Sequence, residues 1–89
     1  MNTLHTVNKG GHPLTLCLRA MADSDALLLI EEGVYTLLTE QAALKGRKIY
    51  ALKVDVEARG IPLPESIKAV DYDQFVALTI EYDKTVSWF

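Results

Sequence analysis

The chain begins with a short β-prone stretch at residues 4–7 and then breaks at Asn8-Lys9-Gly10-Gly11-His12-Pro13. Paired glycines followed by a proline mark a loop, and the proline suits the first turn of a helix. Leu14, Cys17, Leu18 and Met21 recur at the i, i+3, i+4, i+7 spacing of one helical face. Asp23-Ser24-Asp25 closes that helix, and Ala26-Leu27-Leu28-Leu29-Ile30 follows without alternation. A continuous apolar run predicts a strand covered on both faces, as in a parallel sheet. After Glu31-Glu32-Gly33, residues 34–38 predict a short helix, and a loop passes through Lys45-Gly46-Arg47. Residues 48–54 read as a third strand, and residues 55–60 as one or two helical turns stopped by Gly60. Ile61-Pro62-Leu63-Pro64 must be extended, since each proline disfavours helix in the residue before it. Residues 67–70 are a fourth strand. Asp71 or Asp73 caps a last helix with an apolar face of Phe75, Val76, Leu78, Thr79 and Tyr82. The tail, residues 85–89, is β-prone or packed down.

Strand and helix thus alternate through one domain, residues 1–89. The predicted class is α/β: an open, mostly parallel four-stranded sheet with helices on both faces. Its strands fall near residues 2–7, 26–31, 48–54 and 67–70.

Composition sharpens this picture. Eighty-nine residues support only a small core, yet 49% of them are hydrophobic, which excludes disorder and implies apolar surface kept for a partner. Val76, Ile80, Val86, Trp88 and Phe89 crowd the C-terminal region, either as interface anchors or as closers of the domain's own core. A net charge of −3 leaves no electrostatic footprint for nucleic acid, and Lys45, Arg47 and Lys48 read as a solvated cluster. No apolar run approaches the roughly 18 residues that span a bilayer. The first residues lack the basic and apolar segments of a signal peptide, so a cytoplasmic protein is expected.

One cysteine excludes a disulfide framework, and with two histidines it falls short of the four ligands of a zinc site. Gly10-Gly11 lacks the spacing of a phosphate loop. No metal or cofactor is expected. Cys17 has two readings. It follows a helix start near Pro13, with Lys9, His12 and Arg19 close in sequence, and cationic surroundings at a helix N-terminus activate a thiol. The loop before it follows the first strand, where ligand crevices of open α/β sheets form. It also shares a face with Leu14 and Met21, and a thiol packed on the sheet is inert. His12 is a candidate base or a solvated loop residue. Glu32 either lines the same crevice or belongs to a polar turn. His5, inside a strand, reads as a hydrogen-bonded structural residue.

Several segments in order resemble one known family across essentially the whole chain. They are residues 4–9 (Leu-His-Thr-Val-Asn-Lys), 27–35 (Leu-Leu-Leu-Ile-Glu-Glu-Gly-Val-Tyr), 49–52 with 55–60, 70–79, and Ser87-Trp88. The set resembles the DsrH/TusB family, small subunits of sulfur-relay complexes. The resemblance implies a DsrE/DsrF/DsrH-like fold and a place in a hetero-oligomer of three related subunits. The TusB branch works with TusC and TusD, takes persulfide sulfur from TusA and passes it through TusE toward 2-thiolation of the tRNA wobble uridine. The DsrH branch, with DsrE and DsrF, handles sulfur in dissimilatory sulfur oxidation. In both, the principal acceptor cysteine lies on the TusD or DsrE partner, so the resemblance implies an auxiliary or non-catalytic subunit of a sulfurtransferase complex. DsrH-type members carry a cysteine in the first helix, and Cys17 falls there. It is therefore the candidate auxiliary persulfide carrier, beside the alternative that the chain is purely structural.

Overall fold

The computed structural model describes residues 2–89. Five parallel strands, β1 (Thr3–Val7), β2 (Ala26–Leu29), β3 (Lys48–Leu52), β4 (Lys68–Val70) and β5 (Lys84–Trp88), form one sheet in the order β4-β3-β2-β1-β5. The α/β class and parallel pairing agree with the sequence reading, whereas the expected four strands are five. The tail is not a loose end: it pairs with β1 in register from Thr3↔Lys84 to Val7↔Trp88. That pairing joins segments about 80 residues apart, which local propensity does not reveal.

Helices α1 (His12–Ala20), α2 (Thr36–Thr39), α3 (Gln41–Leu44), α4 (Lys53–Ala58) and α5 (Tyr72–Glu81), with a 3₁₀ helix at Glu31–Tyr35, make the connections. From β1 to β4 the chain advances across the sheet in one direction, and it then returns to place β5 beyond β1. Right-handed crossovers therefore put α5 on one face and every other helix on the opposite face. Two cores follow from this. Val7, Leu14, Cys17, Leu27, Leu29, Val34 and Ile49 belong to the first. Leu4, Leu28, Leu52, Val70, Leu78 and Tyr82 belong to the second. Alternate residues of β2 feed both cores, and all four are buried, which accounts for its unbroken apolar run.

Two local details position the rest. The chain after β2 is a 3₁₀ helix rather than the start of an α-helix. A Cβ at Gly33 would stand 2.3 Å from the Val7 carbonyl oxygen, so this turn packs backbone against the end of β1. Ile30 N–H also donates to that oxygen at 3.0 Å. At α5, Asp71 is the cap: its carboxylate accepts the Gln74 N–H at 2.8 Å while Gln74 Oε1 accepts the Asp71 N–H at 2.8 Å. The helix turns Phe75, Leu78 and Tyr82 inward. Val76, expected on that face, is instead 57% exposed, because it lies about 100° around the helix from Phe75.

Candidate functional site

Because α1 connects two parallel strands, it runs from the carboxyl edge of the sheet back toward the amino edge. His12 and the exposed Lys9 stand at its start, and Cys17 is carried about 7–8 Å further along. The Cys17 carbonyl already accepts the N–H of Met21, the C-terminal capping residue, so the thiol belongs to the last turn of α1. The dipole there presents its negative end, opposite to the expectation from the sequence. The nearby charges also differ from those expected. The charged groups acting on the thiol are Arg47, before β3, and Asp25, before β2, whereas Arg19 is exposed.

The Cys17 side chain is fully buried in the first core. Burial pushes its pKa from the ordinary 9.0 up to about 12; Arg47 works to lower it and Asp25 to raise it. At neutral pH this leaves a thiolate fraction on the order of 10⁻⁵, and the thiolate is the nucleophilic form. A cleft of about 170 Å³ opens at the amino edge, lined by Met21, Asp23, Asp25, Arg47 and Lys48 among others, and Cys17 does not line it.

At the carboxyl edge, Glu31 and Glu32 are exposed in the 3₁₀ helix, and His12 is exposed at the head of α1. Neither His12 nor Glu32 makes a side-chain hydrogen bond or ion pair with Cys17, so the three candidates are not brought together. Glu31 has a left-handed backbone, φ 50°, and its N–H donates to Asp55 Oδ2 at 2.7 Å. Asp55 Oδ1 accepts from Arg59 at 3.2 Å, and that guanidinium lies 5.8 Å from the Tyr35 ring centroid. This chain of contacts ties the end of β2 to α4. Asn8 Oδ1, just after β1, is buried without a hydrogen-bond partner among the described residues.

The sequence reading missed a buried polar cluster around Asp25. Asp25, directly before the apolar run of β2, is buried. Its Oδ1 accepts the Thr3 N–H at 2.9 Å, and its Oδ2 accepts the Ala22 N–H at 3.0 Å and meets His5 Nε2 at 2.9 Å. The Trp88 indole N–H donates to His5 Nδ1 at 3.0 Å. Indole can only donate, so Nδ1 is the acceptor and Nε2 carries the proton given to Asp25. His5 is thus hydrogen-bonded through both ring nitrogens, in keeping with its position inside a strand. Desolvation works to raise the Asp25 pKa, but hydrogen bonds from Ala22, His5 and Thr3 outweigh it and hold the carboxyl below its ordinary value. An acid preceding a buried strand was the available signal. Its partners lie on three other segments and could not be read from spacing.

Trp88 is half-buried against the first core, whereas Phe89 is 67% exposed. The described residues contain no metal-ligating cluster and no helix long and apolar enough to cross a membrane.

Over residues 11–85 the chain matches the family model described as DsrH like protein. Protein TusB from Salmonella paratyphi B is 34% identical over 94 aligned residues, covering 96% of this chain and 99% of that relative. Protein TusB from Salmonella arizonae is 36% identical over 78 residues, covering 80% of this chain and 82% of its own. Among solved structures, protein Tm0979 from Thermotoga maritima is similar at a TM-score of 0.64 and 31% identity, over 89% of this chain and 92% of its own. The ychN protein from E. coli reaches a TM-score of 0.68 at 18% identity, over 98% and 99%, a likeness of fold alone.

Proposed function

The chain belongs to the DsrH family, and from that premise we propose that it is a subunit of a TusBCD-like sulfur-relay complex serving 2-thiolation of the tRNA wobble uridine. Its partners are TusC-like and TusD-like subunits, with TusA-like and TusE-like carriers upstream and downstream. The observation that carries this reading is the likeness to proteins named TusB across nearly the whole length of both chains. Within the complex the chain acts as scaffold. Persulfide transfer needs a thiolate that an incoming sulfane sulfur can reach. Cys17 is buried with a pKa near 12, which supports a packing role rather than a carrier role. A second reading, a DsrH-type subunit beside DsrE-like and DsrF-like partners in sulfur oxidation, is favoured by the cysteine in the first helix.

Mass spectrometry of tRNA nucleosides tests the proposal. Deleting the gene should remove wobble 2-thiouridine, and both the wild-type chain and Cys17→Ala should restore it. If Cys17→Ala assembles but fails to restore thiolation, the thiol is a carrier. If deletion leaves 2-thiouridine intact and stops oxidation of reduced sulfur compounds, the second reading replaces the first.

A further inference from the structure

Helix α5 is apolar on two sides. Phe75 and Leu78 face the sheet, while Tyr72, Val76 and Ile80, each four residues apart, are 62%, 57% and 79% exposed. An exposed apolar stripe rimmed by polar residues marks an interaction surface. The outer stripe extends at the N-terminal end of α5 into a cleft of about 130 Å³ lined by Leu52, Val54 and Tyr72, and Val54 is itself 48% exposed. The other face of the sheet carries every remaining helix, so α5 alone covers this one.

Charge identifies what covers it. Residues 71–83 contain Asp71, Asp73, Glu81 and Asp83 and no lysine, arginine or histidine. This segment holds four negative charges in a chain whose net charge is −3. The cations on this side are Lys48, Lys53 and Lys68. Lys48 Nζ lies 5.9 Å from the Tyr82 ring centroid. Lys53 and Lys68 line clefts beside the helix in company with acids, Glu57 and Asp71 in one and Glu81 in the other, so acids still outnumber cations around the stripe. A second copy of the chain packed here about a two-fold axis would bring acids against acids around the apolar stripe, which disfavours that pairing. We propose that the outer face of α5, centred on Val76 and Ile80, docks a different subunit of the relay whose contact surface is apolar and rimmed by lysine or arginine. This rests on the relay reading above, and it names the face and the chemistry of its partner.

The test is co-expression of the full chain with its companion TusC-like and TusD-like subunits, followed by size-exclusion chromatography and native mass spectrometry. Val76→Glu and Ile80→Glu alter exposed positions, so the circular dichroism and Tm of the isolated chain should stay unchanged. Each should weaken assembly by about thirtyfold or more, as loss of a central apolar anchor does. The double charge reversal D73K/E81K leaves the stripe intact. It should also weaken assembly, and wild-type assembly should weaken as salt rises. If the wild type assembles and the glutamate variants assemble equally well, this face is not the dock, although the relay reading stands. If assembly ignores both salt and D73K/E81K, the basic rim is wrong and the proposal falls with it. If the isolated wild-type chain dimerises and Ile80→Glu makes it monomeric, a second copy covers the face and the inference is overturned. If the wild type joins no companion, the relay reading fails and this inference fails with it.

Discussion

Replacing Asp25 by Asn probes the cluster that ties β1, β2 and β5 together. Asparagine keeps the shape but offers one acceptor oxygen in place of two. In one orientation it still accepts from Thr3 and points its NH₂ at the Ala22 and His5 donors. In the other it keeps those two and points its NH₂ at the Thr3 N–H. His5 cannot change tautomer to accept from the amide, because its Nδ1 already accepts from Trp88. At least one buried donor therefore faces a donor, at about 1–3 kcal/mol. The remaining bonds lose their charge assistance, at about 1 kcal/mol each. The sum, about 3–5 kcal/mol, is a large share of the roughly 4–13 kcal/mol expected of a chain this long. Urea unfolding followed by fluorescence suits the measurement, because Trp88 is the single tryptophan and sits in the cluster. The pH dependence has a definite sign. The Asp25 pKa is lowered on folding, so its contribution is fully present above the ordinary carboxylate value. It is lost as pH falls below that value toward the lower folded one. Asp25→Asn should flatten that part of the acid limb. A variant within about 0.5 kcal/mol of wild type, the range of an ordinary surface change, would refute the reasoning.

Three further outcomes follow from the same structure. Iodoacetamide should label Cys17 at neutral pH only after unfolding, and fast labelling of the native chain would overturn the buried, protonated thiol. Because the Cys17 pKa is raised on folding, stability should also fall as pH rises from 9.0 toward about 12, and Cys17→Ala should remove that part of the alkaline loss in a pH series of urea melts. Gly33→Ala should cost about 2 kcal/mol or more, since the added Cβ meets the Val7 backbone rather than a side chain that can move aside. An unchanged Tm would show that the 3₁₀ turn is looser than its contact with β1 indicates.

Residues 26–30 and the start of α5 show how much was legible in the chain itself. An unbroken apolar run suits a strand covered on both faces, and together with the alternation of strand and helix it predicted the parallel sheet. The start of α5 is local too, and the sequence narrowed its cap to Asp71 or Asp73; the structure selects Asp71, with Gln74 completing the capping box. The helical phase of Leu14, Cys17, Leu18 and Met21 likewise placed Cys17 on the face that packs against the sheet.

What the sequence by itself determined was therefore whatever depends on neighbours within a few residues: the α/β alternation, a helix carrying residues 14–21, a last helix that begins at Asp71 or Asp73, and an apolar content large for so small a core. Tertiary structure decided the rest. It paired residues 84–88 with β1 across nearly the full length of the chain, and the handedness of that return put α5 alone on its face. It set Arg47 and Asp25, not Lys9 and His12, around the Cys17 thiol, because α1 runs away from the loop that precedes it. It also gathered Thr3, His5, Ala22 and Trp88 around Asp25. Each of these depends on contacts between distant segments, whose energies appear only once the sheet has brought them within hydrogen-bonding or van der Waals reach.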